Sequence, residues 1–296
     1  MIRLPEGMRD RLYDECAARR EREAGLFSLF AERGYTEVST PILEHYGLFT
    51  RTGSPISEEM MVKVIGNGGK ICVLRPDNTA PIARVAVTRL QNEPLPLKLW
   101  YAQPVYRAGG NGCREFLQAG VEVIGEAGDA ELLALGHEAA SLFFGKPPHI
   151  EVSHAGVLRA MFDKMGLDAA RTAHAASLIE RKNFAALGDE FTGAEPLLKL
   201  LRLSGGAEVI GEAESIAGTP EPFRVLRGLL SELPEGAVEI DFSLAPPFGY
   251  YTGIFFRGYT EGAADAVLTG GRYDKLLGYL GRDLPAVGFA VHMEGA

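Results

Sequence analysis

The apolar positions of the chain fall into helix-like and strand-like periods, and their order predicts a sheet with helices packed on it. From about Arg11 to Arg33, Leu12, Cys16, Leu26, Phe27 and Phe30 recur near one face of a helical period. Asp10 stands where an N-cap is expected and Gly34 where a helix stops. An extended stretch, Tyr35 to Thr40, runs into Pro41, which keeps the residue before it out of the helical region. Gly66-Asn67-Gly68-Gly69 predicts a hairpin turn into a short apolar strand, Ile71 to Leu74. A helix is expected around Thr79, with Pro81 in its first turn. Leu97 to Arg107 and Glu115 to Gly125 are strand-like and are joined by Gly109-Gly110-Asn111-Gly112. Strands joined by a tight turn pair antiparallel, so the predicted fold class is α+β, an antiparallel or mixed sheet flanked by helices.

Between about Pro147 and Leu233 the character changes. Ala, Leu, Glu and Arg recur at helical spacing, as in Val157-Leu158-Met161 and Leu197-Leu198-Leu201, with breaks at Gly205-Gly206 and Thr219-Pro220. This predicts a mostly helical insertion at about 147–235 within one domain spanning 1–296. Strand-like sequence resumes at Val238 to Phe242 and at Tyr250 to Tyr259. A Gly270-Gly271 turn, a helix from Tyr273 to Leu280 and a last strand from Ala286 follow.

Composition narrows the function classes. Hydrophobic residues at 46% and charged residues at 23% describe an ordinary globular chain, and no apolar run approaches the roughly 20 residues that cross a bilayer. The start, MIRLPEGMRD, has no apolar secretory region. Three dispersed cysteines, Cys16, Cys72 and Cys113, fit a reducing compartment, and His45, His137, His154 and His292 show no metal-ligand spacing. A cytoplasmic protein without metal or membrane contact is expected. A net charge of −9 and the absence of a polybasic run weigh against nucleic acid as a partner.

The segment Phe116 to Ile124 carries the most chemistry. Alternation places Leu117, Ala119, Val121 and Val123 on one face and Gln118, Gly120 and Glu122 on the other. Gln118 and Glu122 then stand about 13 Å apart along the strand, at roughly 3.3 Å per residue, with a recess over Gly120 between them. That arrangement suits a small zwitterion; the plainer alternative is an amphipathic strand with its polar face in water. Asp77 and Thr79, at the start of a helix, could hold an ammonium, or Asp77 or Asn78 could simply cap it. Arg107 at a strand end could pair with a carboxylate or phosphate. Tyr250 and Tyr251 fit sheet packing, and Gly109 to Gly112 fit a plain hairpin better than a phosphate cradle, since no lysine follows.

The order of these blocks is more specific than any one of them. Gly34-Tyr35 through Thr40-Pro41-Ile42-Leu43-Glu44 resembles the first signature of class II aminoacyl-tRNA synthetases. Leu74-Arg75-Pro76, Val105-Tyr106-Arg107 and Arg114 to Gly125 resemble the second in its histidine-specific form. Tyr250-Tyr251-Thr252-Gly253, Gly270-Gly271-Arg272-Tyr273-Asp274 and Pro285 to Ala290 are similar to elements late in the histidyl-tRNA synthetase catalytic domain. The resemblance implies a histidine pocket. Asp77, where the synthetases have glutamate, would hold the α-ammonium with Thr79 and Gln118. Glu122 and Tyr251 would address the two imidazole nitrogens, Tyr250 would stand beside them, and Arg107 would take the carboxylate.

Departures from the synthetase pattern bear on activity. The glutamate two residues after the arginine matched by Arg107 is Gly109 here; the arginine four residues before the tyrosine pair is Pro246; the ATP-binding arginine after Glu294 is Gly295. Adenylate formation needs fixed cations at the α-phosphate, which proline and glycine cannot supply. The chain also ends at Ala296, with no segment matching the anticodon-binding domain. This pattern resembles the regulatory subunit family of ATP phosphoribosyltransferase, the synthetase-like partners of the short catalytic enzyme that opens histidine biosynthesis. The resemblance implies free L-histidine as ligand, no cofactor, no catalysis of its own, and a dimer within a hetero-octamer of four regulatory and four catalytic chains. A minimal histidine-activating, adenylate-forming ligase is the enzymatic alternative, and a scaffold with an unused pocket is the other.

Overall fold

The computed structural model describes residues 3–52, 54–109, 112–126, 128–234, 236–245 and 249–294. The chain opens with α1 (Tyr13–Glu32), β1 (Thr36–Glu37), β2 (Leu43–His45), α2 (Tyr46–Arg51), β3 (Lys63–Ile65), β4 (Ile71–Leu74) and α3 (Thr79–Thr88). The long strands β5 (Leu97–Gly109) and β6 (Gly112–Ile124), helix α4 (Asp129–Phe144) and β7 (His149–His154) follow. Helices α5 (Ala155–Lys164), α6 (Ala169–Glu180), α7 (Phe184–Glu190) and α8 (Glu195–Leu200) come next, then β8 (Ser204–Gly205), α9 (Ile210–Ala217) and α10 (Glu221–Glu232). The last elements are β9 (Val238–Asp241), β10 (Ile254–Tyr259), β11 (Leu268–Arg272) and β12 (Ala286–His292).

Among the described residues the main sheet has nine strands in the order β1-β5-β6-β12-β11-β10-β7-β9-β8. It is mixed: β1 with β5 and β7 with β9 are parallel, and the other pairs are antiparallel. A small sheet, β2-β4-β3, carries the hairpin predicted at Gly66 to Gly69. No helix among the described residues is long and apolar enough to cross a membrane.

Alternation along β6 sorts its side chains as the sequence predicts. Ala119, Val121 and Val123 enter the core shared with α1 and α4, against Phe30, Leu133 and Phe289. The opposite face is covered as well, by a second cluster that includes Ile82, Tyr101, Tyr273 and Leu277. Gln118 and Glu122 are therefore 3% and 2% exposed, so this is no solvent-washed amphipathic strand. Buried polar groups of this kind need partners, and the site supplies them.

Several elements differ from the sequence pattern for physical reasons. Helix α1 begins at Tyr13 without a side-chain cap, because the extended Leu12 holds the N-cap position and has no side-chain acceptor, so Asp10 lies too early to cap it. Helix α4 has no counterpart in the periodicity reading: Leu132, Leu135, Gly136, Ala139 and Phe143 are buried around several sides, which blurs an amphipathic stripe. The first residues of the predicted helical insertion, His149–His154, form β7 and join the main sheet. Gly270 and Gly271 lie inside β11 rather than in a turn. A Cβ on Gly270 would come to 2.6 Å from the Gly288 carbonyl oxygen, and one on Gly271 to 2.7 Å from the Tyr251 ring, so here glycine permits close approach of neighbours. After Tyr273 the chain makes turns and a single 3-10 turn, Gly278–Leu280, instead of a helix.

Candidate ligand-binding site

The site is built on β6 and closed by the segment between β4 and α3. Arg75, 1% exposed, fastens that segment: its Nε donates to the Pro104 carbonyl at 2.8 Å and its Nη1 to the carbonyls of Thr40 at 2.5 Å and Pro41 at 3.2 Å. The Tyr106 amide returns a bond to the Arg75 carbonyl at 3.0 Å. Asp77 and Thr79 are thereby held over β5 and β6. Asp77 does cap α3, accepting from the Ala80 amide at 3.2 Å, and it also accepts from the Ser54 hydroxyl at 3.4 Å. Capping and facing the cavity are compatible at this position.

A cavity of about 80 Å³ lies among these elements, and Asp77, Thr79, Arg107, Gln118, Tyr250 and Tyr251 all line it. At roughly 30 Å³ per water it has room for two or three waters, well below the roughly 300–1,000 Å³ of sites for drug-sized ligands, so an amino acid enters only if the wall opens. Six of the seven residues singled out in the sequence are thus brought together. The seventh, Glu122, sits behind the wall: Thr79 Oγ1 donates to its Oε1 at 2.7 Å, and the Tyr273 hydroxyl donates to its Oε2. The recess expected over Gly120 is also filled. A Cβ there would overlap the Phe289 carbonyl oxygen and reach 2.7 Å from Tyr101 Oη, so strand pairing and a tyrosine occupy that space.

Electrostatics follow from burial. Glu122 is pushed up to about 8 by desolvation, which outweighs the two hydroxyl donors that favour its charged form. Desolvation also raises Asp77, against the Ala80 amide and the nearby Arg107 charge. Burial raises Tyr101, Tyr250, Tyr251 and Tyr273, so all four remain neutral hydroxyls able to donate. Arg107 donates from Nε to the Pro76 carbonyl at 2.9 Å, and its guanidinium carbon lies 4.9 Å from the centre of the Phe116 ring. It also lines a second, larger cleft of about 880 Å³ with Arg114, Phe116, Thr269, His292 and Glu294.

Tyr101, Thr269 and Tyr273 belong to the cavity wall although sequence reasoning did not select them. Tyr101 was findable in principle, since it stands opposite Gly120 on the paired strand. Tyr273 lies in the quoted Gly270 to Asp274 block, but only the fold shows that its hydroxyl meets Glu122.

The histidyl-tRNA synthetase family model matches residues 7–296. The chain is 36% identical to the ATP phosphoribosyltransferase regulatory subunit of Clostridium acetobutylicum, over 98% of this chain and 77% of that protein. It is 35% identical to the Desulfitobacterium hafniense protein of the same name, over 99% and 80%. The chain belongs to the ATP phosphoribosyltransferase regulatory subunit family. The solved ATP phosphoribosyltransferase regulatory subunit/histidyl-tRNA synthetase of Bacillus halodurans is similar to it with a TM-score of 0.91 at 29% identity, covering 99% of this chain and 82% of that one. The histidyl-tRNA synthetase of a Nostoc species shares the fold, with a TM-score of 0.82 at 18% identity over 99% and 74%.

Within this regulatory-subunit fold, the departures from the synthetase pattern can be placed in part. Gly109 ends β5, and among the described residues a Cβ there would meet nothing within 4 Å. Packing therefore leaves room for a side chain at the position where the synthetases carry glutamate. Pro246 and Gly295 lie outside the described residues.

Proposed function

We propose that this chain is the histidine-sensing regulatory subunit of an ATP phosphoribosyltransferase and has no aminoacylation activity of its own. It associates with a short-form catalytic subunit, as a dimer within a hetero-octamer, is needed for that partner's activity, and relays feedback inhibition by L-histidine. Family membership supports the assembly. The observation that carries the ligand reading is the small cavity in which Asp77, Thr79, Arg107, Gln118, Tyr250 and Tyr251 converge.

The chemistry fits a compact zwitterion. Asp77, Thr79 and the Gln118 carbonyl offer acceptors for an α-ammonium, and Arg107 offers a cation for the carboxylate. The imidazole then reaches Tyr251 on one side and Glu122 on the other, once the Thr79 or Tyr273 hydroxyl swings off the carboxylate. Ligands that leave these buried groups unpaired are rejected, since each unsatisfied group costs about 1–3 kcal/mol. Regulation needs only that histidine bind one state of the assembly better than another, by about 1–3 kcal/mol.

Reconstitution tests the regulatory claim. The chain added to a short-form catalytic subunit is expected to raise ATP- and phosphoribosyl-pyrophosphate-dependent product formation, and L-histidine is expected to suppress the gain. Full activity of the catalytic subunit alone, or activation insensitive to L-histidine, would contradict it. The enzymatic alternative predicts instead histidine-dependent exchange of pyrophosphate into ATP by this chain alone.

A further inference from the structure

We propose that His292 is the positioning residue for the Gln118 amide, and so sets the preference of the cavity for a ligand that bears an α-amino group. This rests on the reading of the cavity as an L-histidine site. His292 ends β12 in the register position opposite Gln118 and does not line the small cavity; it lines the larger cleft behind it. It therefore stands on the partition between the two spaces.

The orientation of the network follows from one fixed point, a backbone carbonyl. Asn78 Nδ2 lies 3.5 Å from the Gln103 carbonyl oxygen, which can only accept, so that end of the Asn78 amide is the nitrogen. The same Nδ2 donates to Gln118 Oε1 at 3.2 Å. The other end of the Gln118 amide is then Nε2, which lies 3.3 Å from His292 Nδ1. Nδ1 must be the unprotonated ring nitrogen, and the proton on Nε2 is donated to Thr269 Oγ1 at 2.9 Å. Burial and the Arg107 charge hold His292 down to about 3, so the ring stays neutral throughout the working pH range.

Clamped between Asn78 and His292, Gln118 has one carbonyl lone pair left for a ligand on its cavity side. Without the acceptor at Nδ1, Nε2 is left unpaired and only the bond from Asn78 Nδ2 holds the amide, so it loses half of its clamp and can turn its NH₂ group toward the ligand's ammonium, two donors facing each other. The effect falls on the α-amino contact and on nothing else in the ligand.

The test compares L-histidine with 3-(imidazol-4-yl)propionate, which keeps ring and carboxylate but lacks the amine, by calorimetry on the full chain. His292→Leu is expected to weaken L-histidine by roughly 10-fold and to leave the deamino ligand unchanged. His292→Asn, whose Oδ1 replaces the Nδ1 acceptor, is expected to recover most of that loss. Thermal melts of both variants accompany the titrations. Equal loss for both ligands would mean a merely structural role and overturn the proposal, as would wild-type L-histidine affinity in His292→Leu. If the wild-type chain binds neither ligand, the reading of the cavity fails and this inference with it.

Discussion

Replacing Glu122 by glutamine should flatten the pH dependence of stability and weaken L-histidine binding by roughly 10–100-fold, the range expected for one charge-assisted hydrogen bond. The carboxyl goes from an ordinary 4.5 to about 8 in the folded chain. A raised value means that the folded state holds the proton more tightly than the unfolded one. The stability it contributes is whole below pH 4.5 and is lost as pH rises through 8, falling by about 1.4 kcal/mol for each pH unit crossed between the two values. The melting temperature of the wild-type chain should therefore fall between about pH 6.5 and 8, above the range where the lowered His154 and His292 act with the opposite sign, as buffered melts at half-unit intervals will show. Glutamine imitates the protonated acid and removes that slope, leaving the contributions of Asp77 and Glu151 in the same direction and of His154 and His292 in the opposite one. Binding has the complementary sign. An imidazole N–H favours the carboxylate form, so wild-type affinity should rise between about pH 6.5 and 8, where free imidazole is neutral. A pH-independent affinity would place the ring elsewhere.

Gly120→Ala should destabilise the chain by roughly 3 kcal/mol or more. The added methyl would overlap the Phe289 backbone oxygen on β12 and crowd Tyr101 Oη at 2.7 Å, while β6 is paired on both sides. The Phe289 oxygen is backbone and cannot swing aside as a side chain could, so relief requires the strands to separate. Gly109→Ala, at the end of β5 with no described atom within 4 Å, is the control and should stay within about 0.5 kcal/mol of wild type. Urea denaturation reads both. If Gly120→Ala unfolds at the wild-type midpoint, the central strands are less tightly joined than the structure describes.

These two positions also show how far the sequence could be read. Alternation along β6 placed Gln118 and Glu122 on one face, and that local rule needs no knowledge of the fold. What lies opposite that face is non-local. The tyrosine that covers Gly120 comes from β5, and the hydroxyl that occupies Glu122 comes from Tyr273, 151 positions onward. Spacing alone therefore suggested an open recess where the structure has packed atoms. Helix α4 was illegible for a related reason: burial on several sides removes the polar stripe that marks a surface helix. The glycines of β11 signalled a turn, yet they serve strand-to-strand approach, a distinction that depends on Gly288 and Tyr251. The family resemblance reached further than periodicity because it carried long-range order, and six of its seven ligand positions line one cavity.

Calorimetry of the purified chain with L-histidine, with and without ATP, bears most directly on the central claim. Saturable binding of L-histidine that ATP leaves unchanged, with no heat from ATP alone, is the predicted result. Binding of ATP, or release of pyrophosphate when both are present, would contradict it and return the chain to the adenylate-forming enzymes; no binding of L-histidine would contradict the sensor itself.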